Sequence, residues 1–429
     1  MTTARVSTAS RRERAALVGV ITRATARSAD PDQQLDELAG LAEAAGADVV
    51  LRATQDRPVP DAATLLGRGK VESVARACEE VGADLVIVDH ELTPGQSRNL
   101  EKAFGRRVID RTELILDIFA RRARTREGQL QVELAQLQYR LPRLAGSSDA
   151  LSRLGGGIGT RGPGETKLET DRRRIRTRIS VLKSDIAEVG RRRGYLRSRR
   201  KRADVPAVAL VGYTNAGKTT LFNQFTGARA LVSPALFQTL DPLVRRVRLP
   251  GARQLLVSDT VGFIDRLPHQ LVAAFRATLE EVAAADLLLH VVDVSAPDRD
   301  RRTAAVEAVL GEVGAGEVPT VVVFNKIDAL APGELDRLRA AHPEARLISA
   351  ADGTGVPELT SAISARLAMD AERVRLELDE RVESDRRLVA ELYRHARVVS
   401  HATRDGSVTI EADVPRRLVA RFRRRPVTA

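Results

Sequence analysis

Residues 205–221 read VPAVALVGYTNAGKTTL, and this stretch decides the fold around it. The apolar run Ala207 to Val211 predicts a buried strand, which breaks at Gly212 into a loop and resumes as a helix after Lys218. In that context the pattern G-x-x-x-x-G-K-[ST] forms a phosphate cradle. Its glycines let backbone N–H groups turn toward an anion, and Lys218 and the helix N-terminus add positive charge. Thr219 is placed to put a hydroxyl on the Mg²⁺ that accompanies the phosphates.

A second motif follows a predicted hairpin with strands at 244–249 and 253–257, turning at 250–251. The second strand leads into SDTVG, residues 258–262. Asp259 stands 41 residues after Lys218, at a strand's carboxyl end, and can hold the water shell of a metal. Gly262 can offer its N–H to a terminal phosphate.

A third motif, NKID at 325–328, follows the predicted strand at 320–324. A carboxylate at Asp328 can accept two hydrogen bonds from guanine, whereas adenine presents no such pair of donors. Asn325 is expected to tie this loop to the phosphate loop, and the stem of Lys326 to lie on the base. The next strand leads to Ser349 and Ala350, whose backbone N–H groups are expected to reach guanine O6. All three motifs sit at strand ends, so we expect a guanine nucleotide site.

Composition describes a large globular chain with one strongly basic segment. The 429 residues are too many for a single core, 43% are apolar, and the one cysteine excludes internal disulfides and suits a reducing cytoplasm. The net charge is +12, and residues 161–202 contain 16 Lys/Arg against 5 Asp/Glu. So localised a charge predicts a polyanionic partner. With aromatics at only 3%, phosphate neutralisation is favoured over base stacking.

The fold class is a multidomain α/β protein with four predicted domains. Residues 1–104 are predicted to form a small N-terminal α/β domain with a parallel sheet, in which the GRGK segment at 67–70 is interpreted as a turn rather than a nucleotide loop. Residues 105–203 are predicted to form a long antiparallel helical hairpin. Residues 204–370 are predicted to form a P-loop domain on a doubly wound, mostly parallel sheet. Residues 371–429 form a small α+β domain, whose pattern from about Val374 predicts helix, strand, turn, strand and helix.

The hairpin prediction rests on two narrow apolar seams. The first seam comprises Leu130, Leu134, Leu137, Leu141 and Leu144, and the second Leu168, Ile175, Ile179, Leu182, Ile186 and Val189. Between them, residues 152–165 contain six glycines and cannot be helical. One interpretation is a floppy linker. The other interpretation, which Arg153 and Arg161 favour, is a basic tip that inserts into a confined, negatively charged site.

Together, GYTNAGKTT, LFQTLDP, DTVGF, NKID and ISA, behind GGGIGTRGPGET, resemble the HflX family of bacterial ribosome-associated GTPases, over about residues 15 to 370. The resemblance implies a cytoplasmic protein that binds the large ribosomal subunit and splits or rescues stalled ribosomes, with the hairpin tip reaching toward the peptidyl transferase centre. It implies Thr239 as the switch threonine that joins Thr219 on Mg²⁺. It also implies ATP binding through the N-terminal region, at a place the sequence does not localise. We expect a monomer.

The predicted site residues fall into three groups. The residues expected to bind GTP are Gly212, Tyr213, Thr214, Asn215, Ala216, Gly217, Lys218, Thr219, Phe237, Gln238, Thr239, Leu240, Asp241, Asp259, Thr260, Val261, Gly262, Asn325, Lys326, Ile327, Asp328, Ser349 and Ala350. The metal ligands are Thr219 and Thr239. The residues expected to contact RNA are Arg153, Arg161, Arg172, Arg173 and Arg174.

No catalytic residue is assigned, because Phe263 stands where many GTPases place a glutamine that orients water. Hydrolysis of GTP is therefore expected to be slow alone and to be stimulated by the ribosome. Leu243 also departs from the family, which usually has Thr after LDP. Two other functions stay open at this point: a GTPase checkpoint in assembly of the large subunit, and a non-catalytic RNA-binding protein with a regulatory nucleotide.

Overall fold

The computed structural model of the protein describes residues 12–22, 31–144, 163–203, 205–228, 236–237, 239, 243–249, 254–265, 271, 276–369, 371–404 and 406–422. These residues form three β-sheets and the helices that cover them. None of the helices described is both long and apolar enough to cross a lipid bilayer.

The N-terminal part of the chain alternates strands and helices. Its elements are β1 (Glu13–Ile21), α1 (Pro31–Ala44), β2 (Ala47–Asp56), α2 (Arg68–Glu80), β3 (Leu85–Val88), α3 (Pro94–Phe104), β4 (Arg107–Asp110) and α4 (Arg111–Arg122). The sheet is fully parallel, in the order β2-β1-β3-β4. Strands covered on both faces read as continuous apolar runs, and β3 has the sequence LVIV with all four residues buried.

Strand β4 is a correction to the sequence analysis, which expected helical structure from residue 105. The segment is short, and only Val108 and Ile109 of its four residues are apolar. Its strand conformation is set by pairing with β3, where Ile109 lies opposite Ile87. The boundary at residue 104 therefore cuts a sheet that continues to Asp110.

Two helices follow, α5 (Arg126–Arg143) and α6 (Pro163–Ala203), and they pack against each other. Their contact is a small cluster of Leu130, Leu134, Leu137, Ile179, Leu182 and Ile186. Arg178 of α6 also donates two hydrogen bonds of 2.7 Å to the carboxylate of Glu133.

Residues 145–162, which include most of the predicted glycine-rich segment, are outside the described part of the chain. The prediction that 152–165 cannot be helical is wrong at its end, because α6 begins at Pro163. Proline suits the first position of a helix, where an N–H has no partner within the helix.

The second sheet has six strands and is parallel except at one edge. Its elements are β5 (Ala207–Val211), α7 (Lys218–Thr226), β6 (Leu243–Arg248), β7 (Gln254–Asp259), α8 (Arg276–Ala283), β8 (Leu287–Asp293), α9 (Arg299–Glu312), β9 (Thr320–Asn325), α10 (Pro332–Ala341), β10 (Arg346–Leu347) and α11 (Val356–Met369). The strand order is β10-β9-β8-β5-β7-β6, with only β6 antiparallel to its neighbour. The parallel-rich α/β sheet predicted for a P-loop domain is confirmed. The predicted turn at 250–251 is outside the described residues.

The C-terminal elements are β11 (Ala371–Asp379), α12 (Glu383–His395), β12 (Arg397–Arg404), β13 (Ser407–Pro415) and α13 (Arg416–Phe422). They form an antiparallel sheet in the order β11-β13-β12. Strand β11 is a second correction, since the tail was expected to open with a helix. Its apolar residues Val374, Leu376 and Leu378 alternate with charged ones, which is the period of a strand with one covered face.

Candidate functional site

The phosphate loop lies at the carboxyl end of β5, where the strand order reverses between β7 and β8. In sheets of this kind ligands bind in the crevice beside such a reversal. A Cβ atom on Gly212 would lie 2.2 Å from the carbonyl oxygen of Val291, and one on Gly217 would lie 2.1 Å from the side-chain nitrogen of Asn325. Only glycine fits either position. Next to them Thr214 is buried and Asn215 is exposed, with a left-handed φ of +61°.

Lys218 opens helix α7 and is 6% exposed. Its ammonium donates hydrogen bonds to the carbonyl oxygens of Gly212, at 3.0 Å, and Tyr213, at 2.7 Å. Burial lowers the pKa of Lys218 to about 8, and the nearby Asp259 carboxylate partly opposes that shift. A buried cation held on neutral carbonyls is stabilised further by an anion beside it. The loop is thus electrostatically suited to a phosphate.

Three oxygen-bearing side chains converge beside Lys218. The hydroxyls of Thr219 and Thr239 lie 2.9 Å apart, and they donate to the same Asp259 oxygen at 2.8 and 3.0 Å. The other Asp259 oxygen, Oδ1, is buried and has no hydrogen-bond partner among the described residues. Burial raises the pKa of Asp259, against the opposing effect of Lys218. This hard-oxygen set with an unsatisfied carboxylate atom fits Mg²⁺.

The segment after Asp259 is held against the phosphate loop by its backbone. Phe263 donates its N–H to the Gly212 carbonyl at 3.1 Å and accepts from the Thr214 N–H at 2.7 Å. Its ring is 1% exposed and belongs to the core, so it does not face a reacting water. The side chains of Thr260 and Val261 also point inward, the Thr260 hydroxyl donating to the Leu210 carbonyl at 2.7 Å.

Asn325 connects three loops. Its side-chain nitrogen donates to the Ala216 carbonyl at 2.8 Å, and its side-chain oxygen accepts from the Ala350 N–H at 2.8 Å. The Ile327 N–H donates to the Ile348 carbonyl at 3.3 Å. The phosphate loop, the NKID loop and the loop after β10 therefore form one connected surface.

The expected use of the Ser349 and Ala350 N–H groups differs from what the structure shows. The Ala350 N–H is bonded to Asn325, and the Ser349 N–H donates to the Thr354 carbonyl at 2.9 Å. Neither N–H is free for guanine O6 in this arrangement. Sequence reasoning could not anticipate this, because the competing acceptors come from residues 5 and 25 positions away.

Lys326 and Asp328 of the NKID motif follow the carboxyl end of β9. Asp328 is exposed in a short 3₁₀ turn, Ile327–Ala329, that directly follows β9. The Lys326 ammonium is 2.6 Å from the Asp293 carboxylate at the end of β8, so this ion pair joins the NKID loop to the neighbouring strand. Gln238, Leu240 and Asp241 of the predicted nucleotide set lie outside the described residues.

The predicted RNA-contacting arginines also lie partly inside and partly outside the described residues. Arg153 and Arg161 lie outside the described residues, whereas Arg172, Arg173 and Arg174 are on α6. Arg173 and Arg174 are exposed, and Arg174 has a long ion pair of 3.7 Å with Asp171 on the same helix. Between residues 169 and 192, the α5–α6 contact buries only one side of α6, and arginines such as Arg173 and Arg174 are exposed to a partner.

Comparison with known proteins places these features in one family. Family models match residues 32–120 (GTP-binding GTPase N-terminal), 122–200 (GTP-binding GTPase middle region) and 207–326 (50S ribosome-binding GTPase). The chain is 51% identical to the GTPase HflX of Caldanaerobacter subterraneus over 363 residues, covering 85% of this chain and 82% of that one. It is 45% identical to the GTPase HflX of Escherichia coli, covering 89% and 90%.

The chain belongs to the HflX family of GTPases. It is therefore a hydrolase that binds and cleaves GTP. A GTP-binding protein from Sulfolobus solfataricus, solved with GDP, is similar at 24% identity and a TM-score of 0.42, covering 82% of this chain and 98% of that one.

Sequence reasoning missed the contacts that this GTPase makes between helices of its N-terminal part and its nucleotide loops. Phe237 packs on Phe119 of α4 with ring centres 4.7 Å apart, and the Tyr213 hydroxyl donates to Glu37 of α1 at 2.9 Å. A cavity of about 510 Å³ lies beside these contacts. Its walls are formed by α1, residues 213–215 and the start of α9. No local sequence signal marks these pairs, since their partners are distant in the chain.

Proposed function

We propose that this GTPase uses its nucleotide state to control binding to the large ribosomal subunit, and that it splits or rescues stalled ribosomes in the cytoplasm. The charged helix α6 and the glycine-rich segment 145–162 would contact ribosomal RNA, with that segment reaching toward the peptidyl transferase centre. The observation that carries the proposal is the exposed arginine surface of α6. A family model described as a 50S ribosome-binding GTPase supports it.

The position of α6 in the chain supports coupling between the bound nucleotide and ribosome binding. α6 ends at Ala203, and β5, which leads into the phosphate loop, begins at Ala207. Only residues 204–206 separate the end of the helix that carries the proposed RNA-binding surface from the strand that leads into the phosphate loop. Arginines that neutralise RNA phosphates give strong, salt-dependent affinity for ribosomal RNA. A conformational change at the phosphate loop that depends on the bound nucleotide would then raise or lower that affinity.

In the proposed nucleotide complex, Lys218 and the 212–217 backbone bind the phosphates, and Asp328 accepts hydrogen bonds from guanine. Thr219 and Thr239 would hold Mg²⁺, with Asp259 beside them on its water shell. When bound there, the metal would supply positive charge that offsets the charge of the phosphates. The buried Phe263 ring leaves the water to be oriented by another group. Hydrolysis is therefore slow on the isolated protein and faster on the ribosome.

Density-gradient sedimentation of intact ribosomes tests the proposal. With GTP or a non-hydrolysable analogue, the protein is expected to convert 70S particles into subunits, and with GDP it is not. Lys218→Ala should abolish splitting. Asp328→Asn should lose splitting with GTP and regain it with xanthosine triphosphate, because an amide pairs with the 2-oxo group that replaces guanine's amine.

Each alternative outcome is informative. Full splitting by Lys218→Ala would contradict nucleotide control and favour a non-catalytic RNA-binding role. If 70S particles stay intact with every nucleotide, the protein does not split ribosomes. If cells that lack the protein also accumulate precursors of the large subunit, a checkpoint in its assembly is the favoured function. GTP hydrolysis that is unchanged by added large subunits would contradict the proposed stimulation.

A further inference from the structure

The outer edge of the second sheet carries a group of arginines that lies outside the nucleotide site. Strand β6 (Leu243–Arg248) is last in the strand order, and among the described strands only β7 lies beside it. Its sequence is LVRRVR. Arg245, Arg246 and Arg248 are exposed, whereas Val247 is buried in the core. Half of this strand is therefore positively charged at the surface of the GTPase domain.

Among the residues that the structure describes, none of these three arginines forms an ion pair. The hydrogen bonds that they donate go to neutral oxygens: Arg245 to the Val244 carbonyl and Arg246 to the side chain of Gln254, both at 3.2 Å. On α6, by contrast, Arg178 has the Glu133 carboxylate at 2.7 Å. The charge on β6 is thus left for an anion outside the described part of the chain.

The placement of these arginines suits a polyanion that runs along the edge of the sheet. Side chains alternate between the faces of a strand, so Arg246 and Arg248 share the face opposite to Val247, about 7 Å apart along the strand. Arg245 is on the other face, and its long stem can carry the guanidinium past the edge. Phosphates at successive positions of an RNA strand can meet such a row without any base being read. Positive charge also disfavours pairing of this edge with a second copy of itself.

The start of β6 is connected to the predicted magnesium ligands. Leu243 pairs with Asp259 at the end of β7, and only residues 240–242 separate Thr239 from β6. The Thr239 hydroxyl donates to the same Asp259 at 3.0 Å. A change at Thr239 that accompanies GTP and Mg²⁺ therefore reaches β6 by two routes, one along the chain and one across the sheet.

We propose that β6 is a second RNA-binding surface of this GTPase, which contacts phosphates of ribosomal RNA when GTP is bound. This inference rests on the proposed binding to the large ribosomal subunit, and it identifies a contact through which GTP raises that affinity. With GTP bound, Arg245, Arg246 and Arg248 each neutralise one phosphate. With GDP bound, these three contacts are lost and those of α6 remain.

Binding of the full-length protein to isolated large subunits, at salt concentrations from about 50 to 200 mM, tests the proposal. With a non-hydrolysable GTP analogue, Arg245→Gln, Arg246→Gln and Arg248→Gln combined should lower the slope of log affinity against log salt by about 2 to 3. Over this range the wild type should lose about 20- to 40-fold more affinity than the variant. With GDP the two proteins should have the same slope. Lysine at all three positions keeps the charge and should keep the wild-type slope.

A matched control replaces Arg337, Arg339 and Arg366 by Gln. These arginines are exposed on α10 and α11, the helices before and after β10, which forms the opposite edge of the same sheet. The control should keep the wild-type slope with either nucleotide. Both triple variants should bind GDP within about twofold of the wild type, because none of the six arginines lies in the nucleotide site.

Photocrosslinking identifies the class of partner. A photoreactive amino acid in place of Gln254, which lies opposite Arg248, should crosslink to ribosomal RNA with the GTP analogue. Crosslinks to ribosomal protein alone would overturn the assignment and point to an acidic protein segment at this edge.

Three results of the binding measurements would also overturn the proposal. They are a wild-type slope in the β6 Gln variant with the analogue, an equal loss of slope in the control, and an equal loss of slope with GDP. If the wild type binds large subunits with no nucleotide at all and with none added, the measurement separates the cases: failure of the wild type to bind under any condition contradicts the proposed function itself. Wild-type binding that the β6 Gln variant reproduces contradicts only the role of β6.

Discussion

The side-chain amide of Asn325 donates a 2.8 Å hydrogen bond to the carbonyl oxygen of Ala216, a residue 109 positions earlier in the chain. The same side chain accepts from Ala350. One buried residue thus fixes the distance between the surface that faces the phosphates and the surface that faces the base. The affinity for a nucleotide, which contacts both surfaces at once, depends on that distance.

Asn325→Ala is expected to weaken both GTP and GDP by at least about tenfold. It leaves the Ala216 carbonyl and the Ala350 N–H without their partner, at about 1–3 kcal/mol for each buried group. Fluorescence titration with labelled nucleotides measures the effect. Asn99→Ala removes a similar bond to the Ala63 carbonyl in the N-terminal domain and should leave nucleotide affinity unchanged. Equal affinities for all three proteins would refute the bridging role.

Gly262→Ala is expected to reduce GTP hydrolysis by about 100-fold. The added Cβ would lie 2.8 Å from Cγ2 and 2.9 Å from Cα of Thr214, and 3.1 Å from the Lys218 ammonium, so the phosphate loop must shift. Gly311→Ala, in helix α9 with no atom within 4 Å of the new Cβ, should keep the rate and stabilise the fold by up to about 1 kcal/mol. Comparable rates for the two variants would disprove the steric argument.

His290, in the middle of β8, is expected to make the protein acid-sensitive. Burial, with a smaller effect of Lys218, lowers the pKa of this 2%-exposed side chain from its ordinary value of 6.5 to about 4. The folded state therefore favours the neutral ring, and the stability it contributes above pH ~6.5 is lost as the pH falls toward 4. Between roughly pH 7.5 and pH 5 the loss is about 2 kcal/mol.

His290→Leu should remove that part of the pH dependence. Urea unfolding at both pH values gives the free energy of unfolding for variant and wild type. The free energy of unfolding of the wild type minus that of the variant should fall by about 2 kcal/mol between roughly pH 7.5 and pH 5, whatever its sign at neutral pH. An unchanged pH slope in the variant would mean that the acid sensitivity arises elsewhere.

Replacing Arg172, Arg173 and Arg174 together by Ala is expected to weaken binding to large ribosomal subunits and to flatten its salt dependence. Each lost phosphate contact lowers the slope of log affinity against log salt by about 0.7–0.9. A control with the same charge change replaces Arg386, Arg394 and Arg404, which are exposed in the C-terminal domain. If both triple variants show the same slope, the binding surface is not on α6.

The parts predicted well from sequence are those with local causes. The phosphate loop follows from the spacing of Gly212, Gly217 and Lys218 between an apolar strand and a helix, all within neighbouring residues. The parallel-rich sheet follows from continuous apolar runs such as β5 and β8. Both signals are carried by a few neighbouring residues.

The parts that were missed depend on partners distant in the chain. β4 is a strand because β3 lies beside it, and the Ala350 N–H is occupied because Asn325 reaches it. Arg111 is one of 69 basic residues, and nothing in its local sequence indicates that it is buried against Asp265. Such contacts follow from tertiary packing, which periodicity and spacing do not encode.

Helix α6 has a mechanical consequence. Its 41 residues, at 1.5 Å each, make a rod about 60 Å long, with one end three residues from β5. On that length, a tilt of about 5° at the nucleotide end displaces the far end by about 5 Å, roughly one helical turn. A rearrangement at the nucleotide site that is too small to disturb the core would therefore move the far end of α6 by about one helical turn.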